Sequence, residues 1–119
     1  MKAKETVLEL YRLDVMRDAE KVKQLLHSNA VLEWNGSTGF VTLSGDEIVS
    51  FSNVLHQNYV QITNEITHVV EEENKVAVRY TSRGRTIENP NEEMEIAHFM
   101  VIWELLDGKL YKGYQISQF

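Results

Sequence analysis

The feature that most constrains this chain is a change of period near Gln61: apolar residues recur at helical spacing before it and alternate along extended segments after it. Four segments rich in β-branched and aromatic residues follow, approximately Ile62 to Glu71, Lys75 to Ile87, Met94 to Leu106 and Lys109 to Ser117. Glu72-Glu73-Asn74, the stretch from Glu88 to Glu93 and Asp107-Gly108 separate them, so the run reads as an antiparallel meander. Asp107-Gly108 is the sharpest of these signals, because a two-residue type I′ hairpin needs positive φ at both positions. The single proline, Pro90, falls in a turn, where its missing amide proton breaks no ladder.

Ahead of the meander the pattern is helical, with one extended interruption. Lys4 to Met16 carries Val7, Leu8, Leu10, Tyr11, Leu13 and Val15 at helical spacing. Asp18 caps a second short helix running to about His27, with Val22, Leu25 and Leu26 on one side. A short strand is expected over Ala30 to Trp34, then a loop from Asn35 to Gly39 and the extended Phe40-Val41-Thr42-Leu43. Ser44-Gly45-Asp46-Glu47 is a capping box, in which the serine hydroxyl accepts from the Glu47 amide and the Glu47 carboxylate accepts from the Ser44 amide. It opens a third helix, to about Tyr59, with Ile48, Phe51 and Leu55 as the expected buried stripe. Three helices packed on a curved antiparallel sheet make one α+β domain over residues 1–119, a length that buries roughly two thirds of the unfolded surface without disulfides or metal.

Composition narrows the function. The chain has no cysteine, which excludes a disulfide framework and thiolate catalysis, and no apolar stretch of signal-peptide or membrane-spanning length, so a cytoplasmic protein is expected. Net charge is -6, the acidic residues gather at Glu71-Glu72-Glu73 and Glu92-Glu93, and no basic cluster with interleaved aromatics is present. A nucleic-acid partner is not expected, because phosphate neutralisation needs a basic patch. His27, His56 and His68 lie on different elements without metal-ligand spacing, and no phosphate-cradling Gly-rich loop occurs, so neither a metal nor a nucleotide cofactor is expected.

The third strand of the meander is apolar on both faces: Ala97, Phe99, Val101, Trp103 and Leu105 on one, Ile96, Met100 and Ile102 beside His98 on the other. Each apolar face must be covered. Three short helices cover one side of the sheet, so the other is expected to meet a second copy in a homodimer.

Helices first, a short strand, a capped helix and a long meander ending in an Asp-Gly-Lys hairpin: this order resembles the nuclear transport factor 2-like superfamily, and within it the SnoaL-like, polyketide-cyclase-type branch. The resemblance rests on Tyr11 with Asp18, Ala30-Val31-Leu32-Glu33-Trp34, Leu43-Ser44-Gly45-Asp46-Glu47-Ile48, Lys75-Val76-Ala77-Val78-Arg79-Tyr80 and Ile102 through Leu110, and it spans essentially the whole chain. It implies a cone-shaped fold whose sheet wraps helix one, an apolar pocket between sheet and helices, and dimerisation through the outer sheet face. It implies no single activity, since the superfamily includes ketosteroid isomerases, epoxide hydrolases, aldol-type cyclases, dehydratases and proteins that only bind.

The family's catalytic carboxylates are missing. Where ketosteroid isomerases carry a basic Asp at the end of the first strand this chain has Trp34, and Glu33 beside it faces the other way. The oxyanion-donor tyrosine of helix one would fall at Leu10, one residue from Tyr11. The acid-base Asp of SnoaL-type cyclases would fall near Gln118, and an amide does not take up a proton at neutral pH. His98 is the remaining candidate for acid-base work, since imidazole titrates near neutral pH. Tyr11, Trp34, Phe51, Tyr80, His98 and Tyr114 are the expected ligand-binding set, the aromatic members each offering an apolar body and, for Tyr and Trp, a polar tip. Arg79, Arg83 and Arg85 share one strand face and read as solvent-exposed. The missing carboxylates favour a small-molecule binding protein over the two alternatives: an isomerase, dehydratase or cyclase using His98, and a dimeric interaction module.

Overall fold

The computed structural model describes residues 2–119. The order is helix α1 (Ala3–Leu10), a 3-10 turn (Val15–Arg17), α2 (Ala19–Leu25), strands β1 (Leu26–Gly36) and β2 (Gly39–Ser44), α3 (Gly45–Asn58), then β3 (Tyr59–Glu72), β4 (Lys75–Thr86), β5 (Glu93–Leu106) and β6 (Lys109–Gln118). The strands form one six-stranded sheet in the order β2-β1-β6-β5-β4-β3. The expected meander is present, and Asp107 and Gly108 both take positive φ, at 53° and 73°. The segments at Ala30 and Phe40 form a hairpin that extends this sheet, with β1 lying parallel to β6. The result is a cone-like α+β fold, with the helices on the concave side.

Two sequence expectations need correction. Helix one stops at Leu10 rather than Met16, because Asp14 takes a left-handed conformation and ties the chain to β3. Its amide donates to the Ile62 carbonyl while its carboxylate accepts from the Ile62 amide at 2.9 Å. The first strand is longer than Ala30 to Trp34, since β1 starts at Leu26 and bulges before its ladder with β6 settles at Val31. Both caps form as expected, with Asp18 accepting from the Lys21 amide and the reciprocal Ser44 and Glu47 pair closing the start of α3.

The core lies between the helices and the concave face. Val7 and Leu10 of α1, Tyr11 just past its end and Val22 of α2 meet Val76, Val78, Tyr80, Phe99, Val101, Trp103 and Leu110 of the sheet. Gly113 permits the closest approach there: a Cβ at this position would stand 2.7 Å from Leu32 and 2.8 Å from the Trp103 ring. The indole therefore lies directly on the β6 backbone. Gly84 plays the same part at the other end of the cone, where a Cβ would meet Tyr59 at 2.8 Å and Ile96 at 2.9 Å.

Candidate functional site

The parallel and antiparallel registers together set one row of side chains across the concave face. Trp34 of β1 stands opposite Gln115 of β6, Ser117 opposite Phe99 of β5, and Phe99 opposite Tyr80 of β4. Ser82 continues the row and Asn64 of β3 stands opposite it. Side chains alternate along each strand, so this row points toward the helices. Where α3 arches away from it, the space is not filled. A cavity of about 390 Å³ remains, walled by Trp34, Tyr80, Phe99 and Ile96, with Phe51 and Leu55 of α3 above.

An aromatic ladder forms the wall. Tyr11 and Tyr80 have ring centroids 4.5 Å apart, Tyr80 stacks on Phe99 at 4.8 Å with planes 2° apart, and Trp34 leans on both Phe99 and Phe51. Such packing supplies a flat apolar surface with few polar atoms. The polar groups that do reach the cavity are neutral and mostly paired. The Trp34 indole donates to Ser117 Oγ at 2.7 Å, Ser82 donates to Asn64, and the Tyr80 hydroxyl donates to Gln115 Oε1 at 3.3 Å. Beneath the cavity the Trp103 indole donates to the Tyr11 hydroxyl at 2.9 Å. Burial pushes the Tyr11 phenol up to about 12. Burial and then the neighbouring Tyr11 hold the Tyr80 phenol well above its ordinary value. Both remain protonated at neutral pH.

Of the six residues expected at the site, four lie on the concave side. Trp34, Phe51 and Tyr80 line the cavity, and Tyr11 lines a narrow recess behind it. His98 and Tyr114 do not join them. His98 lies on the convex face, 54% exposed, between the Thr81 hydroxyl at 2.9 Å and Glu95 at 3.3 Å. Tyr114 is also on the convex face, bonded to Glu104. The expectation that Ile96 shares the His98 face fails for a physical reason: β5 has one residue more than β4 between Ala97 and Glu95. That bulge carries Ile96 into the cavity wall. Arg79 is exposed on the convex side as expected, whereas Arg83 and Arg85 are half-buried there, paired with Glu65 and Glu93.

Gln115, Ser82, Ser117 and Asn64 were not singled out by the sequence, yet they supply most of the cavity's polar surroundings. Their signal was a polar residue at the inward parity of a strand, which reads as a defect until a cavity is known to lie over it. Among the described residues no cluster of three His, Asp or Glu side chains stands close enough to hold a metal ion, and no helix is long and apolar enough to cross a membrane.

Comparison with known proteins places this geometry. No curated protein matches the chain. Among solved structures, IdmH from Streptomyces antibioticus, described as a candidate polyketide cyclase, superposes with a TM-score of 0.77 at 18% identity over 98% of this chain and 92% of its own. AusH from Aspergillus nidulans gives 0.80 at 14% identity, over 97% of this chain and 82% of its own. An LEH-like epoxide hydrolase from M. tuberculosis gives 0.74 at 14% identity, over 97% and 81%. At these identities the likeness is one of fold. The sequence profile of the SnoaL-like domain matches residues 7–112, from the second half of α1 into β6. With that span covering nearly the whole chain, the protein belongs to the SnoaL-like domain family, within the nuclear transport factor 2-like fold.

Proposed function

We propose that this protein binds a small, uncharged, mostly apolar molecule in the cavity beneath α3 and carries out no acid-base chemistry on it. The observation that carries this reading is the lining: among the described residues that form it there is no Asp, Glu, His, Lys or Arg side chain. A general acid or base must come within hydrogen-bond reach of the proton it moves, and His98 is on the wrong side of the sheet to do so. A charged ligand would have to leave water for an apolar chamber without a counter-charge, which is strongly unfavourable. The volume of about 390 Å³ falls among small-molecule sites. Similarity to a candidate polyketide cyclase and an epoxide hydrolase agrees with a site for a small organic molecule.

The test is native mass spectrometry of protein purified gently from its own host, beside a Leu55→Trp variant that fills the chamber. Wild type is expected to retain an organic molecule and the variant to arrive bare. At a ligand concentration a hundredfold above Kd, wild type gains about 2.7 kcal/mol of stability. A bare wild type whose melting temperature is unmoved by a panel of neutral aromatic compounds would overturn the reading.

The convex face supports a second element of the proposal, association with another copy of the chain. Met100 faces Ile116 and Ile102 faces Tyr114 across the β5 and β6 ladder, and the four are 57%, 65%, 46% and 40% exposed. Four large side chains on adjacent strands make one contiguous apolar surface, of a kind that small monomers seldom leave in water. A patch that packs on its own copy satisfies the two-fold symmetry most soluble dimers use. Sedimentation equilibrium at micromolar concentration should give twice the chain mass for wild type and the chain mass for Ile116→Glu. A monomeric wild type removes this element and leaves the cavity reading intact.

A further inference from the structure

Gln115 is 8% exposed, and it lines the cavity. Its Oε1 accepts from Tyr80, while among the described residues nothing accepts from its Nε2. Every fully enclosed side-chain polar atom in the described structure has a partner, so this unpaired Nε2 is one that opens on the cavity.

Tyr80 sets which end of the amide is presented. Its buried hydroxyl donates to Gln115 Oε1, so the carbonyl oxygen is held toward Tyr80 and the amide N–H groups face the chamber. Turning the amide over would take that acceptor from the buried hydroxyl proton, a loss comparable to that of a whole hydrogen bond.

The geometry points to Gln115 as the residue that selects the ligand: Nε2 donates to an acceptor oxygen, a ketone, quinone or ester carbonyl, held against the aromatic wall of Tyr80, Phe99 and Trp34. This rests on the cavity being a binding site. It adds that the site prefers a ligand oxygen that accepts over an apolar group of the same shape. Tyr80, besides walling the chamber, positions Gln115 by setting which end of the amide is presented.

Acetylnaphthalene and isopropenylnaphthalene test this, because they share a flat ring and a branched substituent and differ only in C=O against C=CH₂. Equilibrium dialysis of wild type is expected to show the ketone bound roughly three- to tenfold more tightly, the value of one net hydrogen bond. Gln115→Leu should bind the two alike. Tyr80→Phe should keep binding both but narrow the preference, since the amide is then free to turn. The wild-type comparison stands alone if a variant fails to fold. Equal affinity of wild type for the two probes overturns the role of Gln115 while leaving the cavity reading in place. Binding of neither overturns both.

Discussion

Trp103→Ala should cost about 3–5 kcal/mol of folding stability, read from urea unfolding, and lower the melting temperature by roughly 10 °C or more. The indole is 2% exposed and lies on the bare backbone at Gly113, so its removal opens a hole with β6 on one side and α1 on the other. Neither wall collapses easily, because β6 is pinned between β1 and β5. The deletion also removes the donor that the Tyr11 hydroxyl accepts from. Trp103→Phe separates the two effects: it keeps much of the volume, loses the N–H, and should cost clearly less. Against a typical total stability of about 5–15 kcal/mol, the alanine variant is expected to be partly unfolded at physiological temperature. A loss under about 1 kcal/mol would mean that the core is not built on this ring.

The sequence made the order of elements legible because the signals were local. A capping box, an Asp-Gly turn and a change of period are each decided within a few residues, and each appears where expected. The site was legible only in part, and β6 shows why. Along Lys109 to Gln118 the large side chains Tyr114 and Ile116 alternate with Gly113, Gln115 and Ser117, so pattern alone sends the large ones inward. The structure does the reverse: Gly113 and Gln115 are buried and Ile116 is 65% exposed. Small and polar residues face inward because the ring of Trp103 needs the space at Gly113 and the cavity lies over Gln115 and Ser117. The apolar parity instead marks the convex face, which is the surface proposed to meet a second copy. His98 is a candidate by its chemistry alone, and its parity, opposite to that of the buried Phe99 and Trp103, already turns it away from the core; Ile96 is displaced by a bulge that no local pattern announces. The errors at β6 and Ile96 concern which way a strand faces, and that depends on partners far away in the chain.

Raising the pH should destabilise this protein over a window its two buried phenols define. An unfolded chain gives up a tyrosine proton near the ordinary value of 10.0, whereas folded Tyr11, kept from water by burial, holds its proton to about 12. Between those values the unfolded state binds fewer protons than the folded one, so stability falls as pH rises; below pH 10 the contribution is fully present. A two-unit difference corresponds to about 2–3 kcal/mol, and Tyr80 is shifted in the same direction by the same cause. The urea midpoint is therefore expected to drop steeply from pH 10 to 12. The decisive comparison is with Tyr11→Phe combined with Tyr80→Phe, which should start less stable at neutral pH and show a flatter decline. Equal slopes in the two proteins would mean the phenols are open to water. The expected difference bears directly on the cavity: hydroxyls that keep their protons this far above neutrality act only as neutral donors and acceptors, Tyr80 holding the Gln115 carbonyl and neither taking a proton from what is bound.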